Sequence, residues 1–490
     1  MEYKPTIGLE IHAELKTRTK MFCDSPNDPD PSTSLGAGEK NPNTNVCPVC
    51  LGHPGTLPTI NKQAVEHVIR VGLALGGKIK PTTKFDRKNY FYPDLPKGYQ
   101  ISQYDKPLVE GGALNGIRIR RVHLEEDTGT LVHAQGGPSH GSGRPASLVD
   151  FNRAGVPLME LVTEPDFTSA EEVVAFAREL QFILRYLGVS DADMEKGQMR
   201  IEANVSLSAK HANLGTKVEL KNINSFKFAK SAIEYEIKRQ TEALEKGEKL
   251  IQETRGWDEA KQKTFSQRSK EEAHDYRYFP EPDLPPFETA IFDLEKLKME
   301  LPELPAAKRI RFASEYGLNE KQVDAAIAEQ GIAEFFEESA SELSSLLPTT
   351  NYLLLYNYLT SDLRGLMNES GASFASSKIN PEHLAHLVLL IEQGTIGSRQ
   401  AKDVLKKMFD TGLDPEEIVQ TEGLETVSDT GELEKIVHEV IEKNQKAVDD
   451  YKKGKTASIQ FLVGQAMGRL KGRGNPETLR GLIETRLEHI

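Results

Sequence analysis

The chain has 490 residues and a formal net charge of −13 at pH 7, so its length predicts several domains and its surface as a whole does not suit a polyanion. It shows no basic-plus-apolar leader and no apolar run of about 18 residues, which predicts a cytoplasmic protein that is neither secreted nor membrane-spanning. Three cysteines are too few for a disulfide framework, in keeping with a reducing compartment.

Residues 7–15 alternate apolar and polar side chains, which is typical of a β-strand with one buried face. In an extended chain Glu10, His12 and Glu14 share one face, opposite Leu9 and Ile11. Carboxylate and imidazole groups at fixed separations on a sheet suit a hydrated metal ion and its phosphates. Taken alone, the pattern has a simpler interpretation as an ordinary solvated strand face.

The cysteines are Cys23, Cys47 and Cys50, and the last two have the spacing of a zinc-binding turn. His53 could supply a fourth ligand, whereas Ser25 stands where a second cysteine of an N-terminal Cys-x-Cys pair would be expected. Three thiolates do not complete a tetrahedral site. The sequence leaves zinc open, and the missing fourth cysteine favours ordinary cysteines in a loop.

The one-faced polar pattern recurs in residues 122–127, 200–207 and 217–222. The polar faces carry His123, Glu125 and Asp127; Arg200, Glu202, Asn204 and Ser206; and Lys217, Glu219 and Lys221. Single acids, Asp150 and Glu160, stand in the otherwise apolar strands 147–152 and 158–162, where an unpaired carboxylate would be costly. The repetition favours a sheet that presents acids to a metal or to cationic partners.

Nucleotide binding through a P-loop or a Rossmann fold is not supported, because neither glycine motif is present. Any ATP would therefore bind on the sheet, with acids for Mg²⁺ and basic side chains for the phosphates. Arg87, Lys88, Arg200 and Lys221 are the basic candidates. Each of them could equally form a structural ion pair.

Two helices are predicted within this sheet-rich part, over residues 169–187 and 225–246, the first opening with the capping-box pair Ser169 and Glu172. After the proline-rich segment 280–305, helix-forming residues dominate, and a turn at 412–415 precedes the N-cap candidate Asp414. We therefore predict a sheet-based domain over residues 1–293, a helical domain over residues 294–408 and a helical tail domain over residues 409–490.

The tail is basic within an acidic chain, since residues 446–490 carry nine lysines and arginines against five acidic residues. Candidate RNA-phosphate contacts are Lys452, Lys453, Lys455, Arg469, Lys471 and Arg473. A solvated helix face is the alternative interpretation.

Several long motifs then become recognisable. They are Gly8-Leu9-Glu10-Ile11-His12, residues 85–94 from Phe85-Asp86-Arg87-Lys88-Asn89-Tyr90, Tyr99-Gln100-Ile101-Ser102-Gln103, residues 123–127, residues 220–226, Asp275-Tyr276-Arg277-Tyr278-Phe279-Pro280 and Phe461-Leu462-Val463-Gly464-Gln465. Together, and in this order, they resemble the GatB/GatE family, which includes one of the three subunits of aspartyl/glutamyl-tRNA(Asn/Gln) amidotransferases. The resemblance covers essentially the whole chain.

The resemblance implies a heterotrimeric ligase that converts glutamyl-tRNA(Gln) to glutaminyl-tRNA(Gln), aspartyl-tRNA(Asn) to asparaginyl-tRNA(Asn), or both. In such enzymes Mg²⁺-ATP phosphorylates the side-chain carboxylate of the aminoacyl group, and ammonia displaces the phosphate. The partners implied are GatA, the glutaminase that makes the ammonia, and the small protein GatC. The sequence shows no amidase motif of its own.

The resemblance also implies an α+β fold, with a curved antiparallel sheet of the glutamine synthetase and guanido-kinase type, helices on one face, and two all-helical domains after it. The residues expected to carry catalysis are Glu10, His12, Glu125, Asp150, Glu202 and Lys221. Glu10, His12 and Glu125 are expected to bind Mg²⁺, with Glu160 as a further ligand or orienting acid. Arg87, Lys88 and Arg200 are expected to bind phosphate.

Two other classes of function compete with this interpretation. A noncatalytic tRNA-binding scaffold would explain the basic tail but not the repeated acids. A self-contained ligase that uses free ammonia and a small acid would explain the acids but would leave the tail without a role.

Overall fold

The computed structural model describes residues 3–28, 41–133, 147–209, 214–269, 276–347, 349–427 and 429–489. They form two compact units, Met1–Pro305 and Ala306–Ile490, described separately below. Asp275, the first residue of one motif quoted above, lies outside the described ranges. The division of the chain into three domains at 293/294 and 408/409 stays a prediction.

The first unit is built on short and long strands. They are β1 (Tyr3–Glu14), β2 (Lys78–Ile79), β3 (Thr82–Thr83), β4 (Asp86–Asn89), β5 (Tyr99–Ser102), β6 (Val109–Glu110), β7 (Ala113–Leu114), β8 (Ile117–Glu126), β9 (Thr130–His133), β10 (Ser147–Asp150), β11 (Pro157–Thr163), β12 (Met199–Ala209), β13 (Val218–Ile223), β14 (Glu253–Asp258), β15 (Lys263–Ser269), β16 (Phe279–Pro280) and β17 (Phe287–Glu288). Its helices are α1 (Lys62–Ala74), α2 (Ala170–Tyr186), α3 (Phe226–Glu245) and α4 (Leu294–Met299), with a 3₁₀ turn at Thr289–Ile291.

The main sheet has ten strands in the order β15-β14-β13-β12-β1-β11-β8-β6-β2, with β7 paired to β8. Every neighbouring pair is antiparallel except β13 and β14, which run parallel. The sheet is therefore mixed through this single pair, a detail that the alternation of side chains does not encode. Smaller sheets join β9 to β10, β5 to β4 and β16, and β3 to β17.

The register of the central strands sets which side chains meet. His12 of β1 lies opposite Glu160 of β11 and Arg200 of β12, while Glu10 lies opposite Glu202. Because successive side chains point to opposite faces, this register places the polar residues of neighbouring strands side by side. The one-faced polar strands predicted from the alternation are confirmed.

The opposite face of the sheet forms the core of the first unit. Ile7, Leu9 and Ile11 are at most 1% exposed and belong to a single apolar cluster with residues of α1, α2 and α3. Burying an aliphatic side chain of this size stabilises the fold by about 2 kcal/mol. The helices therefore cover the apolar face and leave the polar face open for a site.

Both predicted helices of this unit begin where their caps indicate. The Ser169 hydroxyl accepts a hydrogen bond from the Glu172 N–H, and the Ser225 hydroxyl accepts one from the Phe228 N–H. The Glu172 carboxylate reaches back to the N–H of Thr168, 2.7 Å away, one residue before the cap. Each bond satisfies an N–H that the first helical turn leaves without an intrahelical partner.

The second unit is helical. Its helices are α5 (Pro305–Tyr316), α6 (Glu320–Ile327), α7 (Gln330–Leu346), α8 (Tyr352–Asn357), α9 (Arg364–Ser370), α10 (Pro381–Glu392), α11 (Ser398–Thr411), α12 (Pro415–Glu422), α13 (Thr430–Lys443), α14 (Gln445–Lys452), α15 (Ala457–Arg469) and α16 (Pro476–Glu488), with a π-helical turn at Tyr358–Leu363 and a 3₁₀ turn at Phe374–Ser376. As predicted, Asp414 caps α12 and Pro415 is its first residue. No helix in the described ranges combines the length and the apolar character needed to cross a bilayer.

Candidate active site

A cavity of about 960 Å³ opens on the polar face of the main sheet. Its walls come from strands far apart in the chain, among them β1, β4, β8, β11, β12 and β13. The predicted site residues that line it are Glu10, His12, Lys88, Glu125, Arg200, Glu202 and Lys221. Arg87 and Asp150 are not among the lining residues.

The first group of candidate ligands is His12, Glu125 and Glu160, called here the histidine cluster. The His12 Nε2 atom lies 3.4 Å from Glu160 Oε2 and 3.6 Å from Glu125 Oε1. One ligand atom from each residue falls within 4.8 Å of the others. Both carboxylates are nearly inaccessible to solvent, so they are held without hydration of their own.

Electrostatics keeps the histidine cluster charged. Burial alone disfavours imidazolium, but the hydrogen bond to Glu160 and the charges of Glu160 and Glu125 outweigh it and raise the pKa of His12 to about 9. Ser102 donates to Glu125 Oε2 at 3.0 Å, and Lys88 Nζ lies 4.0 Å from the same oxygen. The His12 proton stands where a metal ion would otherwise neutralise the acids.

The second group is Glu10, Glu202 and Glu219, called here the glutamate cluster. Ligand atoms of the three carboxylates again lie within 4.8 Å of one another. Lys221 Nζ is 2.9 Å from Glu202 and 3.4 Å from Glu219. Asn204 donates to Glu10 Oε1 at 3.1 Å, which orients that carboxylate.

One ammonium group does not balance the glutamate cluster. Burial, together with the charges of Glu160, Glu202 and Glu219, raises the pKa of Glu10. Burial likewise opposes ionisation of Glu202, but the adjacent Lys221 lowers the pKa of that carboxyl. An oxygen-rich site with excess negative charge fits a hard divalent cation such as Mg²⁺.

Arg200 lines the cavity but is held by a neighbouring acid. Its Nη2 lies 2.8 Å from Asp127 Oδ2, and Arg153 Nε lies 3.7 Å from the same oxygen. Two guanidinium groups thus share one buried carboxylate. Arg200 therefore has charge to offer a phosphate without leaving its place.

Arg87 points to a different partner. Its Nε and Nη2 donate to the two oxygens of Glu281 at 2.7 and 2.8 Å, and its guanidinium lies 4.3 Å from the centroid of the Tyr99 ring. The Glu281 side chain is fully buried. The structure thus engages Arg87 in a bidentate pair that joins β4 to the segment around β16.

Asp150 also lies apart from the two clusters. It ends β10, and its Oδ1 accepts hydrogen bonds from the N–H groups of Asn43 and Asn152. These bonds fix the turn that follows the strand.

The three cysteine thiols come together, but the residues around them do not fit a structural zinc site. Cys23, Cys47 and Cys50 form one group of sulfurs that does not include His53. Ser25 Oγ lies 3.8 Å from Cys50 Sγ, and the buried Lys20 ammonium lies 4.0 Å from it. A hydroxyl replaces the fourth thiolate and a lysine supplies positive charge.

In the second unit, the basic candidates differ in how far they are engaged. Lys455 pairs with Asp450, Arg469 pairs with Glu439, and Arg473 donates to the Gly423 carbonyl. Lys452, Lys453 and Lys471 have no ion-pair partner within the described part of this unit.

Residues missed by sequence reasoning also line the cavity. The sequence indicates Glu219 only as a neighbour of Lys221, although its place on the polar face of β13 is a usable signal. Tyr90, Tyr104, Tyr276 and Tyr278 give no periodic signal, because Tyr104, Tyr276 and Tyr278 lie outside the regular strands.

Two carboxylate clusters flanked by lysines on the floor of a wide cavity define a site of the class that handles metal-bound phosphate groups. Comparison with known families places the chain more closely. The model of the GatB/GatE catalytic domain matches residues 5–291, and that of the GatB domain matches residues 334–487. The chain belongs to the GatB/GatE family.

Similar proteins match along their whole length. The chain is 47% identical to a protein of Carboxydothermus hydrogenoformans and 46% identical to one of Persephonella marina, covering all of each. It is 48% identical to one of Thermomicrobium roseum, covering 99% of that protein. Each of the three is named as the GatB-type subunit of an aspartyl/glutamyl-tRNA(Asn/Gln) amidotransferase.

Replacing Arg87 tests whether it holds the structure or binds phosphate. In Arg87→Ala the buried Glu281 carboxylate loses its bidentate partner, so we expect a loss of about 3 kcal/mol in the free energy of unfolding, measured by urea denaturation. Arg120→Ala, which breaks the exposed pair with Glu164, is the control and should cost much less. Equal stability of the two variants, with weaker ATP binding by Arg87→Ala, would return Arg87 to the phosphate site.

Proposed function

We propose that this chain is the kinase and transamidase component of a heterotrimeric tRNA-dependent amidotransferase. It converts glutamyl-tRNA(Gln) to glutaminyl-tRNA(Gln), aspartyl-tRNA(Asn) to asparaginyl-tRNA(Asn), or both. The observation that carries the proposal is the pair of carboxylate clusters flanked by lysines, within a domain that matches the GatB/GatE catalytic family. The names and full-length similarity of the relatives support the same reaction.

The reaction must overcome the poor reactivity of a carboxylate toward ammonia. Its oxygen is not a leaving group until it carries a phosphoryl group. In the first step a side-chain carboxylate oxygen of the aminoacyl-tRNA attacks the γ-phosphorus of ATP, and ADP leaves. In the second step ammonia attacks the acyl carbon, phosphate leaves and a proton is lost, which yields the amide.

The two clusters are the proposed metal-binding groups. Glu10, His12 and Glu125 are ligands as the family resemblance implies, and Glu160, Glu202 and Glu219 complete the two sets. Mg²⁺ bound there would neutralise the charge of the phosphate oxygens and orient them. The fit rests on the oxygen-rich donor set and on the excess of buried negative charge around Glu10.

The basic side chains around the clusters have separate tasks in this proposal. Lys88 and Lys221 stand beside the acids of the two clusters and supply fixed positive charge toward a phosphoryl group. Arg200, held by Asp127, offers a planar set of donors on the third side. Since these groups are already in place, they need little reorganisation when charge develops.

We assign the sheet to the glutamine synthetase and guanido-kinase type. A broad and almost wholly antiparallel sheet, with helices on its apolar face and acids on its open face, supports that assignment. We also assign tRNA binding to the helical domain at residues 294–408 and the tail at residues 409–490.

The partners follow from the chemistry. Ammonia must come from a glutaminase, which is GatA in this family, and the small protein GatC completes the heterotrimer. The natural place of the reaction is the cytoplasm, where ATP, glutamine and aminoacyl-tRNA are available. A noncatalytic scaffold would leave two buried carboxylate clusters without a role, which is costly.

Removing single cluster acids tests the proposal. In the complex with its partners, supplied with ATP, glutamine and misacylated tRNA, Glu125→Ala and Glu10→Ala should each lower the rate of amidation by at least about a hundredfold, because phosphoryl charge is no longer neutralised. Rates are measured from amidated tRNA, and tRNA affinity is measured in parallel.

The affinity for tRNA should be unchanged in both variants, since neither residue lies in the helical unit. Glu171→Ala, at an exposed acid paired with Lys230, is the matched control and should keep full activity. Amidation that persists in Glu125→Ala and Glu10→Ala would overturn the assignment of the clusters.

Metal binding should depend on pH through His12. Its pKa of about 9 means that the metal-free protein carries a proton there at neutral pH, so a bound metal must displace it. Affinity for Mn²⁺, measured by calorimetry between about pH 6.5 and 8.5, should therefore rise with pH, by up to about tenfold per pH unit. In His12→Gln the rise should be shallower, and equal slopes would exclude His12 as the linked group.

The basic tail should be visible in the salt dependence of tRNA binding. Neutralising the unpaired lysines Lys452, Lys453 and Lys471 to Gln should weaken binding and lower the slope of log Kd against log salt by about 1 per lysine. Lys321→Gln, at an exposed lysine of α6, is the control. An unchanged slope in the triple variant would remove the tail from the tRNA surface.

A further inference from the structure

Four tyrosine rings line one side of the cavity and have no part in the function described above. They are Tyr90, Tyr104, Tyr276 and Tyr278, called here the tyrosine wall. Tyr104 and Tyr278 stack in parallel, with ring centroids 4.2 Å apart and 9° between their planes. Tyr276 meets Tyr278 and Tyr90 edge to face, at 6.1 and 5.8 Å. The rings form one continuous aromatic surface in a cavity otherwise lined mainly by charged groups.

The outer ring of this surface is open. Tyr104 is 51% exposed, although one of its faces lies on Tyr278. Much of the exposed area is therefore the opposite face of the ring. A planar group laid on that face would extend the stacked pair to three layers, the geometry by which proteins hold nucleobases.

Lys88 joins the tyrosine wall to the histidine cluster. Its Nζ lies 5.2 Å from the centroid of the Tyr276 ring and 4.0 Å from Glu125 Oε2. The aromatic surface thus begins one side chain away from the carboxylates. A ligand with a planar base at one end and phosphate or an aminoacyl ester at the other can occupy both at once.

Arg121 adds a polar group beside the open ring. Its Nη1 donates to the carbonyl of Tyr104 at 3.2 Å, while its Nε is buried and has no hydrogen-bond partner among the described residues. A buried N–H without a partner is unfavourable, so this donor is available to an acceptor of a ligand. Ring nitrogens of a base and oxygens of a ribose are acceptors of that kind.

We propose that the tyrosine wall binds an adenine base of a substrate, with the outer face of Tyr104 as the stacking surface and Arg121 Nε as a donor beside it. This inference rests on the proposed function, in which ATP and the 3′-terminal adenosine of the tRNA both bring adenine to this cavity. The two sources share one ligand chemistry, and binding measurements separate them.

The test measures two dissociation constants of the complex with its partner proteins. One is that of a non-hydrolysable ATP analogue, and the other is that of tRNA with and without its terminal adenosine. Tyr104→Leu removes the ring and should weaken adenine-dependent binding from one source by about tenfold or more. Tyr104→Phe keeps the ring and should restore that binding.

The design separates stacking from a loss of structure. The Tyr104 N–H donates to Asp86 Oδ2 at 3.1 Å and its carbonyl is held by Arg121, so the backbone stays in place in the variants. An unchanged melting temperature confirms this. Phe265→Leu, at a 43% exposed ring on β15 that does not line the cavity, is the matched control.

Each outcome has one meaning. Weaker binding of the ATP analogue alone assigns the wall to ATP, and loss of the advantage given by the terminal adenosine assigns it to the tRNA. If neither constant changes by more than about twofold, whereas Glu125→Ala abolishes amidation, the inference fails and the proposed function stands. Absence of amidation by the unmodified complex would overturn the proposed function instead.

Discussion

The in-register pairing of β1 with β11 and β12 is the constraint on which the rest of the site depends. It sets His12 opposite Glu160 and Arg200, and Glu10 opposite Glu202. A slip of one residue would turn every one of these side chains toward the helices, because side chains alternate with a period of two. The apolar residues of β1 are almost completely buried and forbid that slip. The core thus determines where the charges stand.

The price of this arrangement is electrostatic. Acids are gathered where water is scarce, and only His12, Lys88 and Lys221 among the described residues stand close enough to balance the two clusters. The consequences are the raised pKa of Glu10 and the raised pKa of His12. A centre held in this way binds cations more strongly than its folded scaffold alone requires, so folding and ligand binding are linked.

Local patterns predicted the parts of the structure that local forces determine. Alternation identified the polar strands, and Ser169, Ser225 and Asp414 cap helices where the sequence places them. The sequence could not say that Arg87 pairs with Glu281, because the pair spans 194 residues and depends on how β16 returns to β4. The tyrosine wall was missed for the same reason, since stacking between irregular segments leaves no period in the chain.

The central place of β1 has a consequence for the synthesis of the protein. The bond between Asn204 and Glu10 joins residues 194 positions apart, so the first strand emerges from the ribosome long before its neighbours exist. At about 5–20 residues per second, the wait lasts on the order of ten to forty seconds. During that time an extended segment with one apolar face has no sheet to join, which makes it a natural client for a chaperone.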